Sequence, residues 1–397
     1  MIVGGAFTVF LVAYGAQYAF GVFFAALLDE FGWRRAELAG AFSLYTLVYC
    51  LAAFPAGRLT DRWGPRPVIA VGALLLGGAL ASMALVTRLW QPYLIYGLVA
   101  ALGMGTAYVP SSATVTRWFV RRRGLAVGIA ACGQSMAVLV GPLLAQVLVT
   151  RLGWRGAYLA FGGTVLVVLS LVAVVMRRDP EAGGQHPDDD PRPPAPLAAP
   201  EPSWTLRRAM RTRSFWTLAA AFGAAWVPVF VPIVHMVRHC QDLGLSAMTG
   251  ASVVAAIGAG ALLGRPVMAV LSDRVGRKPV VAAGMAVQAL SLAAFGLVAS
   301  ASGLSAAAFV FGWAYGSVST LFSAMTIDFF GRAQAGSLVG VLFAIAGSAT
   351  AIGPVAAGLL QDVFGSYRPA FALGAAISVV AVILLLLCQP PREGQSS

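Results

Sequence analysis

The stretch LTDRWGPRPVIAVG at residues 59–72 occurs a second time, in modified form, as LSDRVGRKPVVAAG at residues 271–284. The copies are 212 positions apart, and the same displacement superposes the Gly-Pro pair at 141–142 on the Gly-Pro pair at 353–354 without a gap. A constant displacement over so much of the chain indicates an internal duplication. The sequence therefore predicts two halves that share one topology.

Composition places the chain in a membrane. Of its 397 residues, 59% are hydrophobic and 11% are charged, and the mean hydropathy is +0.82. Because the apolar runs reach about 20 residues, the length needed to cross the hydrocarbon core, we expect helices rather than barrel strands. Twelve spans are predicted at residues 3–28, 38–57, 67–87, 91–116, 124–149, 155–176, 214–238, 247–271, 279–300, 304–328, 335–361 and 367–388.

The net charge of +12 could indicate nucleic-acid binding, but its distribution favours membrane topology. If the first span runs outward, 19 Lys and Arg residues lie on the cytoplasmic side, 7 lie outside and one, Arg265, lies within a span. This asymmetry follows the positive-inside rule. We therefore expect a multi-pass membrane protein with both termini cytoplasmic, the lipid bilayer as its surroundings and no nucleic-acid partner.

The chain divides at one long polar segment. Residues 179–202 read DPEAGGQHPDDDPRPPAPLAAPEP, a composition too rich in Pro and Asp to build a packed core. We predict an N-terminal six-helix half at 1–176, a largely disordered cytoplasmic linker at 177–213 and a C-terminal six-helix half at 214–397. The four cysteines lack metal-type spacing, so neither a metal nor a cofactor is expected.

The repeated stretch resembles the cytoplasmic loop motif of the major facilitator superfamily, G-x-x-x-D-R/K-x-G-R-R/K. The first copy departs from it at Pro65 and the second at Ala269. The resemblance implies an all-α membrane fold of two six-helix halves, with the substrate bound near the bilayer midplane between halves that rock. It also assigns gating roles to a set of loop residues, namely Asp61, Arg62, Asp273 and Arg274.

The stretch WFVRRRGLAVGIAACG at residues 118–133 is similar to the start of the fifth helix in the monocarboxylate transporter family. Bacterial carboxylate porters, including oxalate/formate antiporters, share the general form of this motif. The acidic, glycine and aromatic motif of the animal transporters is absent from the first span. These features favour a bacterial branch of the family and hence the bacterial inner membrane.

Arg265 is the one charge placed deep in a span. It precedes Asp273 by eight residues, which is roughly 12 Å along a helix. A charge at such a depth costs about 2.5–3.5 kcal/mol and usually faces a cavity or a partner. The repeat aligns it with Ala53, and the family's aspartate one turn earlier is Ala261 here. We predict that Arg265 binds the substrate carboxylate; a structural bond to helix carbonyls or water is the alternative.

Proton coupling needs a group that titrates near neutral pH, because a carboxylic acid of pKa about 4 is almost entirely ionised at pH 7. His235 lies within a predicted span and is our candidate proton carrier. Its alternative role is a hydrogen bond between packed helices. We expect Pro228 and Pro232 to distort the same helix, and His239 to be a solvated residue at its end.

Four further side chains are predicted to line the substrate path, each with core packing as the alternative. Tyr108 and Tyr315 align by the repeat with Thr320 and Gly103, so neither belongs to the duplicated scaffold. The other two are Gln134 and Ser348. The facing of Tyr14, Gln17 and Tyr18 is left open.

The sequence thus predicts a secondary active transporter of a small monocarboxylate such as lactate or pyruvate, coupled to H⁺ and working by alternating access as a monomer. Its partners are the small organic anion and the proton. A carboxylate antiporter of the oxalate/formate type is the alternative within transport, and a non-transporting membrane carboxylate sensor is the alternative from another class. An enzyme is not expected, since no catalytic cluster occurs within the spans.

Overall fold

A computed structural model describes residues 1–119, 123–177, 204–331 and 335–391. Within these ranges the chain is built of helices and contains no strand, which confirms the predicted all-α class. By its internal contacts the chain divides into two compact units, Met1–Pro196 and Leu197–Ser397. Most of the predicted linker, residues 178–203, lies outside the described residues.

Eleven helical stretches in the described residues are long and apolar enough to cross a membrane. One of them, Leu125–Val175, has 51 residues and would be roughly 75 Å long if straight, more than twice the hydrocarbon thickness. It is interrupted at Gly153, where φ is +69°, and therefore supplies two spans. The described part of the chain thus contains the twelve spans expected.

The spans are numbered in the order in which they occur along the chain. They are α1 (Ile2–Tyr18, then Phe20–Phe31), α2 (Arg35–Trp63), α3 (Pro65–Met83), α4 (Trp90–Pro92, a π-helical Tyr93–Ala100, then Ala101–Trp118), α5 and α6 (Arg123–Val175, divided at Gly153), α7 (Arg213–Trp226, then Phe230–Asp242), α8 (Ala247–Val275), α9 (Arg277–Leu297), α10 (Ala301–Phe330), α11 (Ala335–Ala349, then Ile352–Phe364) and α12 (Arg368–Leu387).

The repeated stretch forms the same sharp turn in both units. Gly64 ends α2 with φ +83°, and Gly276 ends α8 with φ +98°. A positive φ is unfavourable for residues that carry a Cβ, so the turn requires glycine in both copies. This requirement explains why the glycine recurs at the displacement of the repeat.

α8 and α10 pack with their backbones in direct contact. A Cβ added to Gly260 would lie 1.9 Å from Phe309 O, and one added to Gly312 would lie 1.9 Å from Ile257 O. Small residues allow such approach between membrane helices, where packing rather than the hydrophobic effect drives association. The contact fixes α8 and α10 as a pair within their unit.

The end of the predicted linker, at residues 204–213, forms ordered structure. Trp204 is 5% exposed, and its backbone N–H donates to Phe330 O at 3.0 Å. A short helix, Leu206–Ala209, follows and is capped by Thr205, whose Oγ1 accepts from Arg208 N. Burial of the indole and this cap account for the order.

We predict that Gly312→Ala lowers the free energy of unfolding by about 1–3 kcal/mol, because the new methyl group would overlap Ile257 O. Gly340→Ala is the matched control, since nothing lies within 4 Å of a Cβ at that position. Thermal unfolding of both variants in detergent micelles checks the prediction. Equal melting temperatures for the two variants would show that the α8–α10 contact is not tight.

Candidate functional site

Arg265 lies in the second half of α8, half-buried, with its Nε atom fully buried. The preceding residue, Gly264, contacts the backbone of α10, because a Cβ there would lie 2.6 Å from Trp313 O. Tyr315 lies two residues after Trp313 on α10 and is 8% exposed. The helix contact therefore brings the turns that carry Arg265 and Tyr315 side by side within the C-terminal unit.

In the N-terminal unit, two of the predicted residues meet an aromatic face of α1. Phe10, Tyr14 and Tyr18 follow one another at ring-centroid distances of 6.1 and 5.9 Å. Tyr108 stacks on Phe10 at 5.6 Å, and Gln134 Nε2 donates to the Tyr18 hydroxyl at 3.2 Å. The arrangement presents hydroxyl and amide groups along one side of α1.

The structure distinguishes the three α1 side chains by their contacts. Tyr14 and Tyr18 stack on one another, and all three side chains, Gln17 included, are buried within the unit. Phe10 is a member of the aromatic face that sequence reasoning missed. The spacing of four residues between Phe10, Tyr14 and Tyr18 was the available signal, since residues at i and i+4 share a helix face.

Ser348 occupies the last turn of the first part of α11. Its Oγ is buried and has no hydrogen-bond partner among the described residues. Just beyond it the helix is interrupted before Ile352, and Gly353 then packs so closely on α7 that a Cβ would lie 2.0 Å from Val227 O. The predicted serine thus stands at a helix break, where a buried hydroxyl can meet a polar ligand.

His235 joins three helices of the C-terminal unit. Its ring is fully buried, with Nδ1 3.0 Å from the Tyr367 hydroxyl and Nε2 2.9 Å from Pro354 O. A carbonyl only accepts hydrogen bonds, so Nε2 carries the proton, and in the neutral ring Nδ1 accepts from Tyr367. This geometry matches the predicted alternative of a hydrogen bond between packed helices. The proton-carrying role stays a prediction.

His239 lies one turn further along α7, and the expectation that it is solvated was wrong. The residue is 5% exposed, and its ring meets those of Tyr367 at 5.6 Å and Phe371 at 5.2 Å. The start of α12 covers this side of α7. The distance from the helix end therefore did not determine its exposure.

α7 is interrupted where the two prolines were expected to distort it. Val229 N donates to Trp226 O, three residues back, so Ala225 O lacks its usual partner within the helix. Gln288 of α9 donates its Nε2 to that carbonyl at 2.6 Å. The side chain of a neighbouring helix thus satisfies the carbonyl that the break exposes.

The predicted gate residues lie in the last turns of α2 and α8. Asp61 accepts from Arg117 of α4 at 2.8 Å, while Arg62, Asp273 and Arg274 are exposed. In the other unit Arg277, the first residue of α9, pairs with Asp328 of α10. One unit thus uses an acid at the end of the helix before the turn, and the other uses a cation at the start of the helix after it. Gating by these residues stays a prediction.

Arg121 and Arg122, part of the fifth-helix motif, lie outside the described residues. Within the described ranges, no group of three or more His, Cys, Asp and Glu side chains is arranged to hold a metal ion.

Comparison with known proteins extends over nearly the whole chain. A family model described as Major Facilitator Superfamily matches residues 6–264 and 229–397. Monocarboxylate transporter 11 of Homo sapiens is 32% identical over 392 residues, covering 95% of this chain and 80% of that protein. Monocarboxylate transporter 4 of Rattus norvegicus is 27% identical over 394 residues, covering 96% and 81%.

A solved structure shows the same fold. The nucleoside transporter NupG superposes with a TM-score of 0.75 over 97% of this chain and 99% of that chain, at 13% sequence identity. At that identity the likeness concerns the fold alone.

We predict that Gln288→Met destabilises the protein by about 1–3 kcal/mol, because it leaves Ala225 O buried without its donor. Ser291→Ala on the same helix is the control, since the Ser291 hydroxyl donates only to Val287 O one turn earlier. Thermal unfolding in micelles compares the two. A loss no larger for Gln288→Met than for Ser291→Ala would contradict the role of Gln288.

Proposed function

Because the chain belongs to the Major Facilitator Superfamily and to its monocarboxylate transporter family, and is therefore a transporter, we propose that it carries a small monocarboxylate by alternating access. Lactate and pyruvate represent the substrate class. The names of two relatives, monocarboxylate transporters 11 and 4, support this class. The observation that carries the proposal is the position of Arg265 in the middle of α8.

A guanidinium group suits a carboxylate in shape and charge. It stays protonated at physiological pH and offers two parallel N–H donors that match the two carboxylate oxygens. The aligned position of the other half is Ala53, so the fold does not require a cation at this depth. Since the cost of a charge within the bilayer needs a compensating interaction, a functional role for Arg265 is favoured.

The positions of the other cations favour a single negative charge on the substrate. Every Lys and Arg of the sequence except Arg265 lies at or beyond the end of a predicted span. Lys278, the one lysine of the chain, donates to Leu386 O at 2.8 Å and to Cys388 O at 2.7 Å at the end of α12. One deep cation matches one carboxylate.

The other predicted substrate-binding residues comprise two side chains in each unit. Tyr315 on the turn beside Arg265 and the buried hydroxyl of Ser348 would bind the carboxylate or a 2-oxo or 2-hydroxy group. Tyr108 of α4 and Gln134 of α5, which contact the aromatic face of α1, would contact the remainder of the substrate. Asp61, Arg62, Asp273 and Arg274 would stabilise alternate states of the gate.

His235 is the proposed proton carrier in symport. Protonation of Nδ1 requires the Tyr367 hydroxyl to turn and accept, while Nε2 keeps its bond to Pro354 O. Uptake of a proton would therefore change a hydrogen bond that joins α7 to the start of α12. Because protonation of His235 would alter the contact between α7 and α12, this geometry supports a role of the residue in proton-coupled transport.

Exchange of one carboxylate for another, of the oxalate/formate type, is the second candidate. The recurrence of a Gly-Pro pair in α5 and α11 supports it, since such pairs resemble an element of exchangers. In either case we propose that a single chain works in a bacterial inner membrane with both termini cytoplasmic. The excess of cations on that side, 19 against 7, supports this orientation.

We predict that Arg265→Ala lowers lactate or pyruvate uptake at least 100-fold in proteoliposomes, because the substrate carboxylate loses a charge-assisted bidentate bond. Arg265→Lys should restore a small part of the activity, since it returns the charge without the planar fork. Uptake of labelled substrate driven by an imposed, inwardly directed proton gradient is the measurement.

Arg238→Ala is the matched control for this experiment. Arg238 is on α7 of the same unit and pairs with Asp242 at 3.4 Å near the helix end. The control should keep most of its uptake. Undiminished uptake by folded Arg265→Ala protein would overturn the site.

We predict that His235→Gln abolishes accumulation driven by a pH gradient but keeps counterflow of labelled for unlabelled substrate within a few-fold. Gln can still donate to Pro354 O but does not titrate. His239→Gln should behave like the unmodified protein in both assays. Gradient-driven accumulation that survives His235→Gln would remove the residue from the coupling mechanism and favour exchange.

A further inference from the structure

An ordered basic surface precedes α7. Arg207, Arg208, Arg211 and Arg213 lie within seven residues, and no Asp or Glu occurs between residues 202 and 241. All four side chains are exposed. We call this set the basic collar; the nearest acids in the sequence are Glu201 and Asp242.

The segment that carries the collar packs against the C-terminal unit through the side opposite to its arginines. Trp204, Ala209 and Thr212 are buried, so the segment is amphipathic although it forms only one helical turn. Thr212 Oγ1 accepts from Phe215 N at 3.2 Å and thereby caps α7. Since Trp204 N donates to Phe330 O, the segment is bound both to α7 and to the end of α10.

Neighbouring apolar groups mark the depth of the collar. Trp216, in the first turn of α7, is 50% exposed, and its Nε1 donates to Met210 O at 2.8 Å. Met210 is itself 37% exposed. Tryptophan with an exposed ring and a bonded N–H is typical of the membrane–water interface. An indole of this kind beside the collar supports a position of the guanidinium groups at the level of the lipid headgroups.

The end of α12 adds a further contact to the same region. Cys388 Sγ donates weakly to Ser214 O at 3.6 Å, next to Arg213. Lys278 Nζ donates hydrogen bonds to the carbonyls of Leu386 and Cys388 in the same region. The collar thus stands where α7, α10 and α12 of one unit end together, so a ligand on the collar would act on three helices.

We propose that the basic collar binds the phosphate headgroups of anionic phospholipids and thereby fastens the end of the linker to the C-terminal unit. Four exposed cations directly outside a span, beside an interfacial tryptophan, complement a headgroup layer that carries negative charge. Guanidinium forks suit phosphate oxygens. The proposal goes beyond substrate transport and does not depend on Arg265.

The test uses the full chain in nanodiscs made of phosphatidylcholine alone or with increasing phosphatidylglycerol. Phosphatidylglycerol should raise the melting temperature of the unmodified protein. Arg207→Gln combined with Arg211→Gln should weaken phosphatidylglycerol binding, measured by native mass spectrometry, roughly 25-fold, about fivefold for each charge. Arg208 is retained because it covers the Trp204 ring at 4.4 Å.

Arg88→Gln combined with Arg151→Gln is the matched control. Both arginines are exposed, and both lie on the predicted outer side of the membrane, away from the collar. The control should keep the lipid dependence of the unmodified protein. Equal losses in the two double variants would show a general charge effect and overturn the proposal. So would an unmodified protein that is indifferent to phosphatidylglycerol. Substrate uptake in either lipid bears on the transport function alone.

Discussion

The structure depends on close contact between helix backbones in a medium that gives no hydrophobic drive for helix association. In the C-terminal unit this contact is strongest where Gly260 and Gly312 let α8 and α10 touch through Phe309 O and Ile257 O. Arg265 lies in the same length of α8. The glycine packing therefore fixes the backbone that carries Arg265.

Much of the fold could be predicted from the sequence because membrane helices have a length set by the bilayer and because the chain is duplicated. The turn glycines Gly64 and Gly276 recur for a backbone reason that the sequence displays directly. The interruptions within the spans were harder to predict. The prolines pointed to the break in α7, and Pro354 follows the break in α11 at residues 350–351 within one turn, but the break in α1 lies at Ala19, in a helix without proline.

The candidate site was predictable where asymmetry between the halves isolates a residue, as it does for Arg265 against Ala53. It was not predictable where partners are distant in sequence. The bonds of His235 reach Pro354 and Tyr367, which are 119 and 132 residues away, and no local pattern relates them. Burial of His239 likewise depends on the start of α12. The depth of a residue along its own helix does not specify what the neighbouring helix places over it.

The central claim is that a fixed guanidinium recognises a carboxylate on the substrate. Competition against labelled pyruvate binding, with pyruvate and its uncharged amide as competitors in the same proteoliposomes, measures this most directly because the two molecules differ little in shape. Pyruvate should displace the label and the amide should fail to do so at 100-fold higher concentration, since the amide lacks the charge that Arg265 would pair with. Equal displacement by the acid and the amide would contradict recognition through charge.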